Sequence, residues 1–152
     1  MLPLRLEFLC RLTGTTAPPI EVGSTPSGIR RVFPIKDGTI EGPKLRGKVL
    51  PGGADYMLVR SDGAVLPDVR LTFETDDGAL VMMQYNGLRH GPAEVMERLA
   101  RGDSVEASEY YFRIAPRFET ASTRYAWLNR ILAVGSGHRM ADGPIYDIYE
   151  IL

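Results

Sequence analysis

The stretch VRLTFETDDGALVMMQY, residues 69–85, decides the fold. Polar and apolar residues alternate over 69–75, and a second run, 79–85, follows the turn residues Asp76-Asp77-Gly78. Alternation with a period of two is typical of a half-buried strand, and a short glycine-containing turn between two such runs indicates a β-hairpin. The segment therefore predicts two neighbouring antiparallel strands.

Short strand patterns of the same kind extend along most of the chain. The first is predicted over 2–12, with Leu9 as the one exception to an alternation that puts six residues on one apolar face: Leu2, Leu4, Leu6, Phe8, Cys10 and Leu12. Asp37-Gly38 is interpreted as a hairpin turn that ends a strand. The remaining predicted strands are 20–22, 29–35, 45–50, 55–60, 109–115, 124–134 and 145–152.

One helix interrupts these strands. Pro92 suits a first helical turn and Gly102 suits the position just past a helix end. Between them the apolar residues, such as Val95 and Leu99, fall on one stripe. Many short strands and one helix predict a mainly β fold, a single antiparallel barrel that closes or nearly closes.

Size and composition narrow the class of protein. The chain has 152 residues and is predicted to form a single domain over 1–152. The net charge is −1 and no basic stripe is visible, which argues against a dedicated nucleic-acid binder. Charged residues interrupt the apolar N-terminal segment, so neither a signal peptide nor a membrane span is predicted there. One cysteine, Cys10, excludes an intramolecular disulfide, and a cytoplasmic protein is the expectation.

A carboxylate follows a glycine-rich turn in the segment GPKLRGKVLPGGADYMLVRSDG, residues 42–63. Asp55 comes just after Gly52-Gly53 and directly before an apolar strand pattern. Glycine adopts backbone conformations that other residues rarely adopt, so this arrangement is typical of a positioned side chain. We therefore expect Asp55 to be a functional group at the mouth of the barrel.

Other polar and aromatic residues on the predicted strands are candidates for the same site. Arg70, Thr72 and Glu74 share one strand face, and the simplest interpretation is that this face is in water. The alternative is a cavity mouth at which a buried Asp55 pairs with Arg70 or Arg113. Its predicted members are Asp55, Arg70, Tyr85, Tyr111, Arg113, Trp127 and Asn129.

The predicted roles follow from the chemistry of these groups. Asp55, Arg70 and Tyr111 are the catalytic candidates. Asp55 is expected to act as acid or base, Arg70 or Arg113 to hold an anion, and a tyrosine to donate to an oxyanion. Tyr85, Arg113, Trp127 and Asn129 are the ligand-binding candidates. Burial raises the pKa of a carboxyl group and a neighbouring arginine lowers it, so the ionisation state of Asp55 stays open at this point.

No metal or cofactor is predicted. His90 and His138 lie far apart, and neither has metal-type spacing to a second ligand. Cys10 has no adjacent base, which argues against a nucleophilic role. No glycine-rich phosphate motif leads into a helix.

Several short motifs occur together in order: GPKLRG at 42–47, PGGADY at 51–56, YFR at 111–113 with FET at 118–120, and WLN at 127–129. As a set they resemble a family of small bacterial and fungal proteins known as domain of unknown function 3237, over nearly the whole chain. The resemblance implies a compact barrel similar to lipocalin-like and allene-oxide-cyclase-like barrels, and some relatives occur near aromatic-compound or natural-product pathways. The motif positions to which it draws attention are Asp55, Arg70, Arg113, Trp127 and Asn129.

Three functions fit these observations. The first is a cofactor-free isomerase, cyclase or lyase that acts on a small aromatic or carbonyl compound. The second is a barrel that binds a small hydrophobic or carboxylated ligand without catalysis. The third is a structural protein that pairs with itself. A homodimer is expected because strand 79–85 carries apolar residues on both faces, Leu80 and Met82 against Val81 and Met83.

Overall fold

A computed structural model describes all of residues 1–152, and β-strands make up most of it. One α-helix, α1 (Ala93–Ala100), and two short 3-10 segments, Ala107–Glu109 and Ala126–Arg130, are the only helical elements. The strands are β1 (Leu6–Thr16), β2 (Ile20–Thr25), β3 (Gly28–Glu41), β4 (Arg46–Val49), β5 (Ala54–Val59), β6 (Val65–Leu66), β7 (Asp68–Thr75), β8 (Leu80–His90), β9 (Tyr111–Glu119), β10 (Ala133–Met140) and β11 (Gly143–Ile151).

The sheet closes on itself through β1. This strand pairs antiparallel with β11 along one edge and with β3 along the other. The rest of the ring runs from β11 through β10, β9, β8, β7 and β4 back to β3, while β5 pairs with β3, β6 and β7. The prediction of a mainly β fold, a closed antiparallel barrel with one short helix, is confirmed. No helix of the structure has the length and apolar character needed to cross a membrane.

The hairpin of residues 69–85 forms as its alternation predicts. Leu71 lies opposite Met83 and Phe73 lies opposite Val81, and all four side chains are buried. Gly78 in the connecting turn has a φ of 86°, a left-handed conformation that favours glycine. These two strands form one wall of the hydrophobic core.

The predicted apolar face of the first strand is wrong over its first half. The strand begins at Leu6, and a β-bulge between Phe8 and Cys10 shifts the pairing with β11. A bulge adds one residue to a strand and so reverses which side chains face inward. As a result Leu9 is buried with Cys10 and Leu12, whereas Leu2, Leu4, Leu6 and Phe8 are exposed.

The hairpin turn predicted at Asp37-Gly38 is also wrong, because β3 continues through it to Glu41. Gly38 has no left-handed backbone; its role is close approach to the neighbouring strand. A Cβ atom at this position would lie 2.2 Å from the carbonyl oxygen of Thr13 on β1. The glycine therefore lets β1 pack directly against β3 where the barrel closes.

The strand predicted over 124–134 is divided in the structure. Residues 126–130 form a 3-10 segment, and the strand begins only at Ala133. Tyr125 and Leu128 are buried at three-residue spacing, as in a 3-10 helix, whereas a strand would bury every second residue.

Cys10 is fully buried on β1, and burial is the main reason that its thiol pKa is raised to about 12. Because the thiolate is the reactive form, we expect iodoacetamide to leave the native protein unmodified at pH 8. Intact-mass measurement should show one adduct only after the protein is unfolded in guanidinium chloride. An adduct on the native protein would contradict the described packing.

Candidate functional site

A cavity of about 550 Å³ lies inside the barrel and extends under α1. Sixteen of its 28 lining residues are hydrophobic, from both the sheet and the helix. The volume falls within the range of small-molecule sites, and such sites combine apolar walls with a few polar groups. The polar groups of this cavity therefore identify the candidate chemistry.

Asp55 is the cavity-lining carboxylate on the barrel wall; the second one, Glu97, is exposed on α1. Asp55 stands on β5 opposite Phe33 of β3 and Val69 of β7, and its Oδ1 atom accepts a hydrogen bond of 3.0 Å from the backbone N–H of Asp68. Burial raises its pKa to about 6, while that N–H and the positive charge of Arg89 act in the opposite direction. The carboxyl group therefore gains and loses a proton close to neutral pH.

The turn before Asp55 explains how the carboxylate reaches this position. Gly52 has a φ of 108°, and a Cβ atom on Gly53 would lie 2.4 Å from the carbonyl oxygen of Arg70. Only glycine permits this close approach of β5 to β7. The glycine pair thus delivers Asp55 to the inner face of the barrel wall.

Two arginines from other strands line the same cavity. The guanidinium carbon of Arg89 on β8 lies 5.3 Å from the centre of the Phe112 ring, and its Nε atom is buried without a hydrogen-bond partner. Burial, and then the nearby positive charge of Arg139, lower the Arg89 pKa. Arg139 lies on β10, and its backbone N–H donates to the Tyr110 hydroxyl at 2.8 Å.

Two buried tyrosines also line the cavity. The rings of Tyr85 on β8 and Tyr146 on β11 pack edge to face, with 5.4 Å between their centres. Burial raises the pKa of both phenols, and the negative charge of Asp55 adds to the effect. Both hydroxyl groups therefore stay protonated and can donate hydrogen bonds at neutral pH.

Of the seven site residues expected from sequence, Asp55 and Tyr85 line the cavity. Arg70 does not, because its neighbours Val69 and Leu71 face inward and alternation turns Arg70 to the outer surface. Its side chain is 60% exposed and lies 3.7 Å from the Asp68 carboxylate. The expectation that Asp55 pairs with Arg70 at one cavity mouth is therefore wrong. Arg70 lies on the solvent-exposed face of β7, as the simplest interpretation of the sequence predicted.

Tyr111 and Arg113 also lie outside the cavity, on the outer face of β9. The Tyr111 ring stacks on the His90 ring, with 5.0 Å between the ring centres. The guanidinium carbon of Arg113 lies 5.0 Å from the centre of the same Tyr111 ring. The buried residue between them, Phe112, takes the inward position. Asp55 therefore does not pair with Arg113 and does not share a site with Tyr111, so both expectations are wrong.

Trp127 and Asn129 belong to the 3-10 segment Ala126–Arg130 and are likewise outside the cavity. The Lys44 ammonium lies 6.0 Å from the centre of the Trp127 ring. The Asn129 side chain accepts from the backbone N–H of Thr120 at 2.9 Å and donates to its carbonyl at 3.0 Å. Asn129 is exposed and holds a loop in place, whereas Trp127 is half-buried and packs against the hydrophobic core, so the expectation that both lie at the cavity mouth is wrong.

Sequence reasoning missed Arg89, Arg139 and Tyr146. The alternation that turns Tyr85 inward also turns Arg89 inward four residues later, but the predicted strand ended at Tyr85. In β10, the spacing of Gly135, Gly137 and Arg139 has the same period of two. Extension of these strands by period two would have found the two arginines.

The sequence matches the family described as "Protein of unknown function (DUF3237)" over residues 4–151. The UPF0311 protein RPA1785 of Rhodopseudomonas palustris is 37% identical over 149 residues, which cover 98% of this chain and 97% of that protein. A more distant relative is the hydroalkoxylation enzyme phnH of Penicillium herquei, at 26% identity over 98% of this chain and 85% of that protein.

Solved structures show the same architecture. The crystal structure of RPA1785 superposes with a TM-score of 0.96 at 36% identity, with full coverage of both chains. A β-barrel-like protein from Acinetobacter baumannii superposes with a TM-score of 0.88 at 44% identity and covers 100% of this chain and 98% of its own.

Proposed function

The chain belongs to the DUF3237 family, and we propose an enzymatic function for it. In this proposal the barrel transfers protons on a small, mostly apolar substrate. The observation that carries the proposal is Asp55, a carboxylate with a pKa near 6 inside an apolar cavity. The proposed reaction class is an isomerisation, cyclisation or elimination on a carbonyl or phenol compound. In an isomerisation or a cyclisation, one atom of the substrate loses a proton and another atom gains one. In an elimination, one atom loses a proton and a leaving group departs. None of these reactions is a net oxidation or reduction.

Asp55 acts as the general base in this proposal. Its ionised carboxylate accepts a proton from a carbon next to a carbonyl group, or from a phenol oxygen, and returns the proton to a different atom. A general base works best when its pKa lies near the working pH, which an ordinary aspartate does not satisfy. The phenols of Tyr85 and Tyr146 face the same cavity and donate hydrogen bonds to the substrate oxygen where negative charge develops.

The name of one relative supports the cyclisation branch of this class. In a hydroalkoxylation the O–H bond of an alcohol or phenol and the π bond of an alkene break, while a C–O bond and a C–H bond form; within one molecule this addition closes a ring. The reaction needs one proton taken from oxygen and one delivered to carbon, which is the transfer proposed for Asp55. At 26% identity the relative supports the class of chemistry, and the substrate of this chain is a separate question.

The pH dependence of turnover tests the proposal. Aryl ketones and 2-alkenylphenols would be incubated with the protein in D2O buffers, and deuterium incorporation and ring closure would be followed by NMR. Because Asp55 must be ionised in the free enzyme, kcat/KM is expected to rise about tenfold per pH unit below pH ~6 and to level off above it. Rates equal to buffer alone for every compound, or a flat profile, would exclude Asp55 as the base.

A carrier that binds a ligand without turnover is the second candidate, and the mostly apolar lining of the cavity favours it. Retention of a small molecule in native mass spectra, combined with no proton transfer at any pH, would support this function. In both cases the proposed partner is a small molecule, and neither a nucleic acid nor a membrane is a proposed partner. Both proposals place the protein in the cytoplasm and need no cofactor.

Self-association as a homodimer is also a proposal. Leu80 and Met82 are exposed and could pack against a second copy, whereas Val81 and Met83 are buried inside the barrel. Sedimentation velocity tests it.

A further inference from the structure

We propose that Arg89 and Arg139 form an anion subsite inside the barrel, so that the ligand is a small hydrophobic compound with one carboxylate. Calling this ligand a substrate rests on the function proposed above, whereas its binding does not. Neither arginine was expected from the sequence.

The charges of the cavity are the first argument. Arg89 and Arg139 come from different strands and lie close enough for the charge of Arg139 to lower the Arg89 pKa. Neither arginine takes part in any of the ten ion pairs of the protein. Asp55 is the nearby carboxylate, but its Oδ1 atom is already bonded to a backbone N–H. Two cations therefore share a pocket with one carboxylate of raised pKa.

The other charged residues that line the cavity do not change this balance. Arg31 is engaged by Glu21, with 2.9 Å between Nε and the carboxylate. Glu97 belongs to α1 and is exposed to solvent. The excess positive charge therefore stays on Arg89 and Arg139.

The buried Nε atom of Arg89 is the second argument. A buried donor without a partner is unfavourable, and more so when the group is charged. The face of Phe112 supports the guanidinium plane from one side, which leaves its edge to bind an acceptor. Arginine binds a carboxylate through two parallel hydrogen bonds along that edge, so a carboxylate satisfies both the charge and the free donor.

The rest of the wall determines the body of the ligand. Away from the two arginines, the cavity is lined by aliphatic and thioether side chains such as Met57, Leu71, Met96 and Leu99. Burial of hydrocarbon against such a surface contributes about 25 cal/mol per Å². An acid with a ring or branched chain therefore fits both ends of the cavity.

Matched ligands test the subsite without any mutation. Isothermal titration calorimetry would compare 2-naphthoate with 2-naphthamide, which have the same shape and differ in charge. The wild-type protein is expected to bind the acid at least ~10-fold more tightly than the amide, since hydrogen bonds between charged groups are stronger than those of a neutral amide. Benzoate and 4-phenylbutyrate, each against its amide, extend the comparison to smaller and longer bodies.

Variants then locate the preference. Arg89→Gln and Arg139→Gln are each expected to weaken acid binding by ~10-fold or more and to leave amide binding within about threefold. Arg117→Gln is the control, because Arg117 is exposed on the outer face of β9 and should leave both affinities unchanged. Thermal unfolding checks that each variant is folded. If Arg89→Gln does not fold, Arg139→Gln and the comparison of acid with amide in the wild-type protein still test the subsite.

Equal affinities of acid and amide in the wild-type protein would overturn the subsite. A preference that survives in both arginine variants, or no binding of any acid below about 1 mM, would overturn it as well. These results are separable from the proposed function. Proton transfer that depends on Asp55 can persist without acid preference, and acid preference can persist in a protein without turnover.

Discussion

Asp55→Asn is expected to lower kcat/KM by roughly 10²–10⁴-fold, the range that a positioned general base contributes. Asparagine keeps the size and planar shape of the side chain but accepts no proton at neutral pH. Its amide oxygen can still accept the hydrogen bond from the backbone N–H of Asp68, so the loop stays in place. The loss should therefore appear mainly in kcat, with little change in ligand affinity. Steady-state kinetics at pH 7.5 on a compound that the wild-type protein turns over measures it.

Asp76→Asn is the matched control, since Asp76 is an exposed turn carboxylate outside the cavity. Its turnover should equal that of the wild type. If Asp55→Asn retained full turnover while folded, Asp55 would be excluded as the base and the carrier function would be favoured.

Asp55→Asn should not unfold the protein, because the ionised Asp55 carboxylate lowers the stability of the folded state. The folded state holds the Asp55 pKa at about 6, against an ordinary value of 3.8, so the folded chain binds this proton more tightly than the unfolded chain does. No cost applies below pH ~4, and as the pH rises through about 6 the cost grows to roughly 3 kcal/mol. The asparagine variant is thus expected to be at least as stable as the wild type at pH 7.5. A site that costs stability is typical of function.

Phe73→Ala is expected to lower the free energy of unfolding by about 3–5 kcal/mol. Phe73 is completely buried at the centre of β7, between Val49 of β4 and Val81 of β8. Its removal loses the transfer free energy of the ring and leaves a void that three paired strands cannot easily close. Urea unfolding followed by circular dichroism gives the change directly.

Glu74→Ala, one residue further along the same strand, is the control. Its side chain points outward and is exposed, so the expected change is within about 0.5 kcal/mol. Phe73 does not line the cavity, so the fraction of Phe73→Ala that remains folded should bind the acid ligand with the affinity of the wild type. A change in stability below ~1 kcal/mol would contradict the packing described for β7 and β8.

Local pattern was sufficient for the barrel wall. Alternation along 69–85 predicted both strands and which side chains face inward, since a strand repeats every two residues whatever its partners are. The errors arose where tertiary contacts override the local pattern. The bulge at Phe8 depends on pairing with β11, and the straight passage through Gly38 depends on close contact with β1.

The candidate site was predictable only in part for the same reason. Asp55 and Tyr85 were identified because a turn motif and a strand pattern mark them locally. Arg89 lies beyond the point at which the predicted strand ended, at Tyr85, although β8 continues to His90 in its pairing with β9 and keeps the same period of two. Arg70 was misassigned because charge alone does not say which face of a strand a side chain occupies.

Closure of the barrel through β1 has a consequence for biosynthesis. Both partners of β1 must be present before the ring is complete: β3 follows it within a few tens of residues, but β11 spans residues 143–151. During translation the cavity walls therefore emerge long before the strand that closes them. Until residue 151 leaves the ribosome, β1 and β10 each expose an unpaired edge, which is the feature of a nascent β protein that chaperones protect from aggregation.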